Sequence, residues 1–320
     1  MFGKMMNRFY YGKSGKGDYT TEDLPETRWQ LFWEMLRIRF ASLFKLNLMY
    51  AAAWLPAMIV IGRALMMGYS GLVNVTELQL QAQSGEIAAE MAAQSMTQFQ
   101  NAMKGVALQT LLLLVPAIAI TGPFTAGAAY VTRNWARDEH SFLWSDFWEN
   151  AKNNWKQALL TSFITGLVPL FMYVCTTFYG MMAKDMPLFY AVAVLCVVLG
   201  ALWLMGLMYM YPQMVTYELK YSALVRNSLL MVLGRLPMTA GLKLLSLLPA
   251  VICAAVCLLT PYAMYALMVY ALYYVLLGFA LSRFVHASYA NAVFDRFING
   301  KIEGAQVGRG LQQQDDEDDE

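Results

Sequence analysis

Charge is scarce in this 320-residue sequence. Only 14% of its residues are charged, against about 25% in an ordinary soluble domain, while 58% are hydrophobic and the mean hydropathy is +0.42. The charged residues form blocks separated by apolar runs of about 18 or more residues. Because about 20 helical residues span a hydrocarbon core of roughly 30 Å, this distribution excludes an ordinary soluble domain and predicts a membrane protein.

Residues that carry catalysis or ion coupling are also few. No ionisable side chain lies at mid-depth in the apolar runs; Arg63 and Lys243 lie near run ends, from which their side chains can reach the interface. The chain has no phosphate loop and no dinucleotide fingerprint. Its two histidines, His140 and His286, are expected at surface or interfacial positions. We therefore predict no catalytic residue, no cofactor and no enzymatic activity.

Cysteine is limited to four residues, all inside apolar runs, so no disulfide framework is implied. Cys253 and Cys257 lie one helical turn apart, which leaves a metal pair as an alternative. Two thiols without histidine or acidic partners make a poor metal site. We interpret all four as small packing residues and predict no metal site.

The apolar runs predict an all-α fold, a polytopic membrane helix bundle with six transmembrane helices. Spans five and six are separated only by Thr260-Pro261, which predicts a tight antiparallel hairpin, since both runs together are too long for one crossing. The membrane domain covers residues 28–302, between a flexible basic segment, 1–27, and a disordered acidic tail, 303–320. The predicted spans are 46–67, 106–130, 158–182, 188–211, 242–260 and 262–284.

Lys and Arg predict the orientation of the bundle. Twenty of the 23 lie on one side of the spans, and Arg63, Lys104 and Lys184 lie on the other. The positive-inside rule then makes both termini cytoplasmic. The first 45 residues lack the short apolar core and cleavage site of a signal peptide, so span one is expected to be a retained anchor.

A polar, basic, aromatic stretch that runs into a proline-containing span occurs three times. We interpret the three copies as cytoplasmic interfacial amphipathic helices, each followed by a hairpin, in a three-hairpin pseudo-repeat. Thr27 is a candidate N-cap for the first of these helices. The copies run from Phe32-Trp33-Glu34 to Pro56, from Phe147-Trp148-Glu149 to Pro169, and from Ser222 to Pro249.

Two further segments each allow two interpretations. The extracytoplasmic loop 68–105 favours helix over 86–103, either as a surface for an external protein or, the favoured interpretation, as an outward extension of span two. Glycine and proline near the end of span two indicate either a hinge along a substrate path or, again favoured, close helix packing. The candidate hinge or path-lining residues are Gly122, Pro123, Gly127, Thr161, Thr165 and Pro169.

The chain resembles the YesL family of bacterial membrane proteins, best over residues 28–170. The most specific motif is Gly122-Pro123-Phe124-Thr125-Ala126-Gly127, followed by Asp146-Phe147-Trp148 and Asn153-Asn154-Trp155-Lys156-Gln157. The resemblance implies a bacterial cell membrane protein, mainly of Gram-positive lineages, associated with carbohydrate ABC importers or with sensor kinases for glycan use. Many members are expected to have a shorter connection than loop 68–105.

These features lead to an accessory or regulatory membrane subunit of a carbohydrate uptake system as the first hypothesis. Its partner would be an ABC permease, its ATPase or a sensor kinase, and not a nucleic acid. An autonomous transporter or channel for a small neutral solute, such as a sugar or polyol, is the alternative, and a lipid-binding scaffold is a third. Aromatic and arginine residues suit interface anchors. The candidate partner-docking residues are Arg133, Trp135, Arg137, Trp148, Trp155 and Lys156.

Overall fold

The computed structural model of the protein describes residues 24–85 and 88–312, and the chain is helical without strands across these ranges. The helices are α1 (Arg28–Ser84), α2 (Ala89–Trp135), α3 (Leu143–Asn153), α4 (Trp155–Met182), α5 (Leu188–Met214), α6 (Tyr221–Gly234), α7 (Leu236–Leu259), α8 (Ala263–Tyr273) and α9 (Phe279–Phe297). A π-helical turn, Tyr274–Gly278, joins α8 to α9, and a 3-10 turn, Asn299–Lys301, follows α9.

Six helical segments are long and apolar enough to cross a membrane: α1, α2, α4, α5, α7, and α8 continued through α9. This confirms the predicted all-helical multi-pass architecture. The predicted hairpin between spans five and six is also present, because α7 ends at Leu259 and α8 begins at Ala263. The short helices α3 and α6 precede the second and third pairs of spans; the three-fold pseudo-symmetry stays a prediction.

Helix α1 is longer than the sequence indicated. Thr27 caps it as predicted, because its Oγ1 accepts from the Gln30 amide at 3.3 Å while the Gln30 side chain accepts from the Thr27 amide at 3.2 Å. The helix then continues for 57 residues, about 85 Å, so the predicted interfacial segment is not separate from span one. Its apolar side is buried at Leu31 and Met35, which anchors this first part to the bundle.

The predicted loop 68–105 is a helical hairpin. Helix α2 already begins at Ala89, which confirms the interpretation that span two extends outward, and α1 extends outward beside it. The Phe99 ring fills the space that a side chain at Gly71 would occupy, so the two extensions pack closely. Gly85, with φ of 82°, ends α1 in the left-handed conformation that glycine adopts without strain.

The end of the chain differs from the prediction at two places. His286 is buried, with 5% of its surface exposed, and its Nε2 lies 3.0 Å from Ser246 Oγ, because α9 runs through the bundle rather than along its surface. The predicted disordered tail is packed over residues 303–312: the Gly308 amide donates to Asp295 at 3.0 Å, and the Gln312 amide donates to the Pro25 carbonyl at 3.1 Å. Residues 1–23 of the predicted flexible segment lie outside the described residues, and so do residues 313–320 of the acidic tail.

Candidate functional site: a groove beside α3

A shallow groove of about 430 Å³ opens where α2, α3 and α4 meet. It lies at the end of the bundle that carries most of the Lys and Arg residues. It unites two of the docking residues inferred from the sequence, Trp148 and Trp155, with Pro123, a candidate hinge residue. The groove is lined by Pro123, Phe124, Trp148, Ala151, Lys152 and Trp155.

Helix α3 is fixed in place from both sides. At its start, the Asp146 carboxylate accepts from the Phe142 amide at 2.9 Å and from Ser141 Oγ at 2.8 Å, which satisfies a free amide and orders the turn. On its inner face, Phe147 is fully buried against α2 at Gly127, where a side chain would overlap the Phe147 carbonyl oxygen. A glycine at position 127 therefore allows α3 to lie against α2.

The groove walls are aromatic and its rim is basic. The rings of Phe124 and Trp148 meet edge to face, with centroids 5.7 Å apart. Half of the Trp155 surface is exposed, and Lys156 Nζ lies 5.7 Å from its ring centroid. Lys152 is also exposed. An aromatic floor with lysines at the edge suits an apolar anchor flanked by a carboxylate, as protein interfaces use.

Three other docking candidates lie inside the fold rather than on this surface. Trp135 is 2% exposed and Arg137 is 8% exposed. The Arg137 and Arg133 guanidinium groups lie 2.9 Å and 3.5 Å from the Glu139 carboxylate. Arg309, from the packed end of the chain, reaches the same carboxylate at 3.4 Å. These arginines connect α2 to the C-terminal segment, so they form the support behind the groove.

A second buried ionic cluster is centred on Asp295 in α9. Its carboxylate pairs with Arg28 at the start of α1 and accepts from Asn299, which in turn accepts from the Tyr217 hydroxyl at 2.6 Å. Burial raises the pKa of the Tyr217 phenol, and the Arg133 charge opposes this shift. Asp295 was not among the predicted site residues. Its signal in the sequence is an acidic residue directly after the apolar pair Val293-Phe294.

Nearby, Asp138 has the left-handed backbone conformation, with φ of 55°, just after the end of α2. Burial raises the pKa of its carboxyl group, opposed by the charge of Arg39. The chain therefore turns sharply here, and the following residues, including Glu139, face the arginines of α2.

The candidate path-lining residues take part in helix packing. Thr161 Oγ1 donates to the Gln157 carbonyl at 2.8 Å, and Thr165 Oγ1 donates to the Thr161 carbonyl at 2.7 Å. A side chain at Gly122 would lie only 3.0 Å from the Leu159 Cα atom and would overlap the Ala158 carbonyl. Pro123 and Pro169 lie within α2 and α4 without ending these helices. Gly122 is thus a close contact between α2 and α4, whereas the hydroxyls of Thr161 and Thr165 bond to carbonyls of their own helix.

No group of three or more His, Cys, Asp or Glu side chains placed to hold a metal ion occurs within residues 24–85 and 88–312. The thiols of Cys253 and Cys257 are free and half-buried. The groove residues offer aromatic surface and positive charge.

Comparison with known proteins gives one match. A family model described as a protein of unknown function, DUF624, matches residues 105–175. This segment covers the second part of α2, all of α3 and most of α4, and it contains all six groove residues. No curated protein and no solved structure matches the chain. The groove is thus built within the part of the chain that is similar to the DUF624 family.

Proposed function

We propose that the protein is an accessory membrane subunit that docks a partner membrane complex at the groove beside α3. The observation that carries this proposal is the exposed aromatic and basic surface of the groove, with Trp155 half exposed next to Lys156. Clustered aromatic residues with cations at the rim are typical of interface anchors. The groove is formed by helices that are already ordered, so its residues lose little conformational entropy when a partner binds.

The partner class comes from the resemblance to the YesL family, which favours a carbohydrate ABC importer or a glycan-responsive sensor kinase. The orientation predicted by Lys and Arg makes the groove cytoplasmic. A partner segment with an apolar anchor and a nearby carboxylate matches the aromatic floor and the rim lysines Lys152 and Lys156. A cytoplasmic loop of the permease, or the ATPase bound to it, provides such a segment.

The experiment is photo-crosslinking in native bacterial membranes, with a photoreactive amino acid in place of Trp155. Affinity purification and mass spectrometry then identify the captured protein. We expect a permease, ATPase or sensor kinase at a level close to one copy per subunit. In a separate pull-down, the double variant Trp155→Ala, Lys152→Glu should lower copurification about thirtyfold or more, because an interface anchor is worth about 2 kcal/mol or more.

Phe178→Ala is the matched control, because Phe178 is also an exposed aromatic of α4 but lies at the opposite end of the helix. It should leave copurification unchanged. The proposal is wrong if no such partner is captured at stoichiometric levels, or if the control and the groove variant lose the partner equally.

An autonomous transporter is the second candidate, and one observation favours it. Two cavities, of about 930 and 570 Å³, flank the π-helical turn and share Tyr274 and Ser282 in their linings. A solute path between the two cavities would run past the π-helical turn, not past the glycines of α2. Purified protein in liposomes would then carry sugars or polyols, and no flux across a panel of these solutes would exclude this candidate.

A further inference from the structure

The larger of these two cavities lies between α1 on one side and α8 with the start of α9 on the other. Its volume of about 930 Å³ is at the upper end of the roughly 300–1,000 Å³ of ligand pockets. Its walls are largely apolar and extend along the spans, from Tyr50 and Trp54 near one end to Leu65 and Tyr265 near the other. It therefore has the shape of an elongated groove rather than a compact chamber.

One end of the cavity is basic. Arg283 of α9 lines it, and its guanidinium carbon lies 5.2 Å from the centre of the Tyr211 ring. Across the described residues, no carboxylate forms an ion pair with Arg283, and its side chain has no hydrogen-bond partner there. Because a charge within a membrane span is costly without a counter-charge, Arg283 indicates a site for an anion.

One further cation lies near Arg283. Lys243 of α7 has no ion pair within residues 24–85 and 88–312, and its charge and that of Arg283 repel each other. His286, one turn along α9 from Arg283, contacts Ser246 at 3.0 Å. The tyrosines Tyr50 and Tyr211 complete the surroundings. In the part of the chain that the structure describes, no acidic group pairs with either cation.

The cluster lies at one level of the bundle. Two buried hydrogen bonds mark this level: Tyr50 to Thr125 at 2.7 Å, and Tyr211 to Ser162 at 2.6 Å. Each of these four residues lies close to the cytoplasmic end of its predicted span. The cations are therefore at the depth of the headgroup boundary of the cytoplasmic leaflet, and the apolar part of the cavity extends from there into the bilayer.

We propose that this cavity binds an anionic phospholipid of the cytoplasmic leaflet, with its phosphate at Arg283 and an acyl chain between α1 and α8. The two parts of the cavity match the two parts of the ligand, a fixed negative charge and a long apolar chain. Basic pockets between transmembrane helices bind anionic headgroups in this way. A free phosphate would satisfy the cation but would leave the apolar groove empty, so the combination favours a lipid.

The test uses purified full-length protein in detergent, incubated with equal amounts of phosphatidylglycerol and phosphatidylcholine that carry the same acyl chains. Mass spectrometry quantifies the lipid retained per protein after washing. We expect phosphatidylglycerol to be retained about tenfold more than phosphatidylcholine. Arg283→Gln should reduce phosphatidylglycerol retention about tenfold, because a hydrogen-bonded ion pair is lost. Equal retention of the two lipids, or unchanged retention by the variant, overturns the proposal.

Arg226→Gln is the charge control, because Arg226 is an exposed residue of α6 outside this cavity. Gly62→Phe tests the apolar groove: Gly62 lines the cavity, and a Cβ atom added there meets no atom within 4 Å, so the new side chain can enter the cavity without a clash at its base. This variant should reduce retention of both lipids at least fivefold, while Gly180→Phe, in equally open space on α4, should not.

The Gly62→Phe variant also keeps the test decisive if Arg283→Gln fails to fold, since it leaves every polar contact intact. Glycerol 3-phosphate serves as the competitor that separates a headgroup site from a lipid site. It should not displace phosphatidylglycerol at millimolar concentration. Displacement by this soluble headgroup, or full retention by Gly62→Phe, shows that the apolar groove is not occupied and overturns the proposal.

Discussion

The pair α2–α4 and the hairpin α7–α8 are both apolar enough to cross a membrane, but they pack very differently. Helices α2 and α4 approach so closely that a side chain at Gly122 would overlap Ala158, and one at Gly166 would lie 2.9 Å from the Val115 Cα atom. In α7, none of the most apolar 18-residue window is buried, and α8 has no buried residue.

The difference teaches that hydropathy does not decide which spans form the core. Lipid tails are as apolar as leucine, so helices associate in a membrane through close packing and hydrogen bonds rather than through the hydrophobic effect. Small residues at matching positions let α2 and α4 approach. Helix α7 presents large exposed residues, including Leu244 and Val251, and so stays at the periphery, where it lines the smaller of the two cavities.

One strong polar contact ties α1 to the π-helical turn that follows the hairpin. The fully buried Asn47 of α1 donates to the carbonyls of Tyr274 and Val275 at 2.8 and 2.7 Å and accepts from the Ala280 amide at 2.8 Å. A π-helical turn disrupts the regular backbone bonding, so its freed groups require such a partner. Asn47 thus fixes the turn through which α8 continues into α9.

The largest expected effect on stability comes from adding a side chain where α2 and α4 are in close contact. Gly122→Ala should destabilise the protein by about 3 kcal/mol, because the methyl group overlaps a backbone carbonyl that cannot move without shifting α4. Equilibrium unfolding of the purified protein in mixed micelles measures this change. A loss below about 0.5 kcal/mol would show that α2 and α4 are not held at this distance.

The next effect concerns the contact between Asn47 and the π-helical turn. Asn47→Leu keeps the size of the side chain but leaves the carbonyls of Tyr274 and Val275 and the Ala280 amide without their partner. The expected cost is about 2 kcal/mol in the same unfolding measurement. A cost below about 0.5 kcal/mol would contradict the role assigned to this residue.

The pair α2–α4 and the hairpin α7–α8 should also differ in local stability. Backbone amides of α7 and α8 are expected to exchange hydrogen about tenfold faster than those of α2 and α4 in the same detergent, a difference of about 1.4 kcal/mol. The reason is that few side chains of the hairpin are covered by the rest of the chain. Hydrogen exchange followed by mass spectrometry measures it. Equal protection in both regions would remove the distinction between them.

The smallest effect has the opposite sign. Gly241→Ala in α7 should stabilise the protein by about 0.5–1 kcal/mol, because the added methyl group meets no atom within 4 Å and the unfolded chain loses freedom. Comparing it with Gly122→Ala in one unfolding series tests the contrast directly. Similar losses for both variants would mean that α7 is packed as tightly as α2.

The helices themselves were largely accessible to prediction. The six spans, the Thr27 cap and the turn after Leu259 follow from local signals, namely apolar length, a capping side chain and a proline in a short connection. The continuity of α1 was missed because interfacial and spanning segments differ in composition but not in backbone. Nothing in the polar stretch breaks a helix, so the difference in polarity did not create a boundary.

The candidate groove was predictable only in part. Trp148 and Trp155 were singled out as aromatic residues near lysines, and they do line it. Arg133 and Arg137 looked similar in the sequence, but their side chains are largely buried, because both pair with Glu139 and Arg309 pairs with the same carboxylate. Glu139 is near both arginines in the chain, whereas Arg309 comes from a distant segment and leaves no local signal.

The sequence by itself determined that the chain is helical, with six segments long and apolar enough to cross a membrane and one predominantly basic side, since these properties depend on composition along short segments. Only the tertiary structure decided which helices form the core, that His286 is buried, and that Arg283 lines an apolar cavity without an ion-pair partner among the described residues. The physical reason is that packing in a membrane depends on the fit of specific side chains from distant segments, whereas insertion depends on their average polarity.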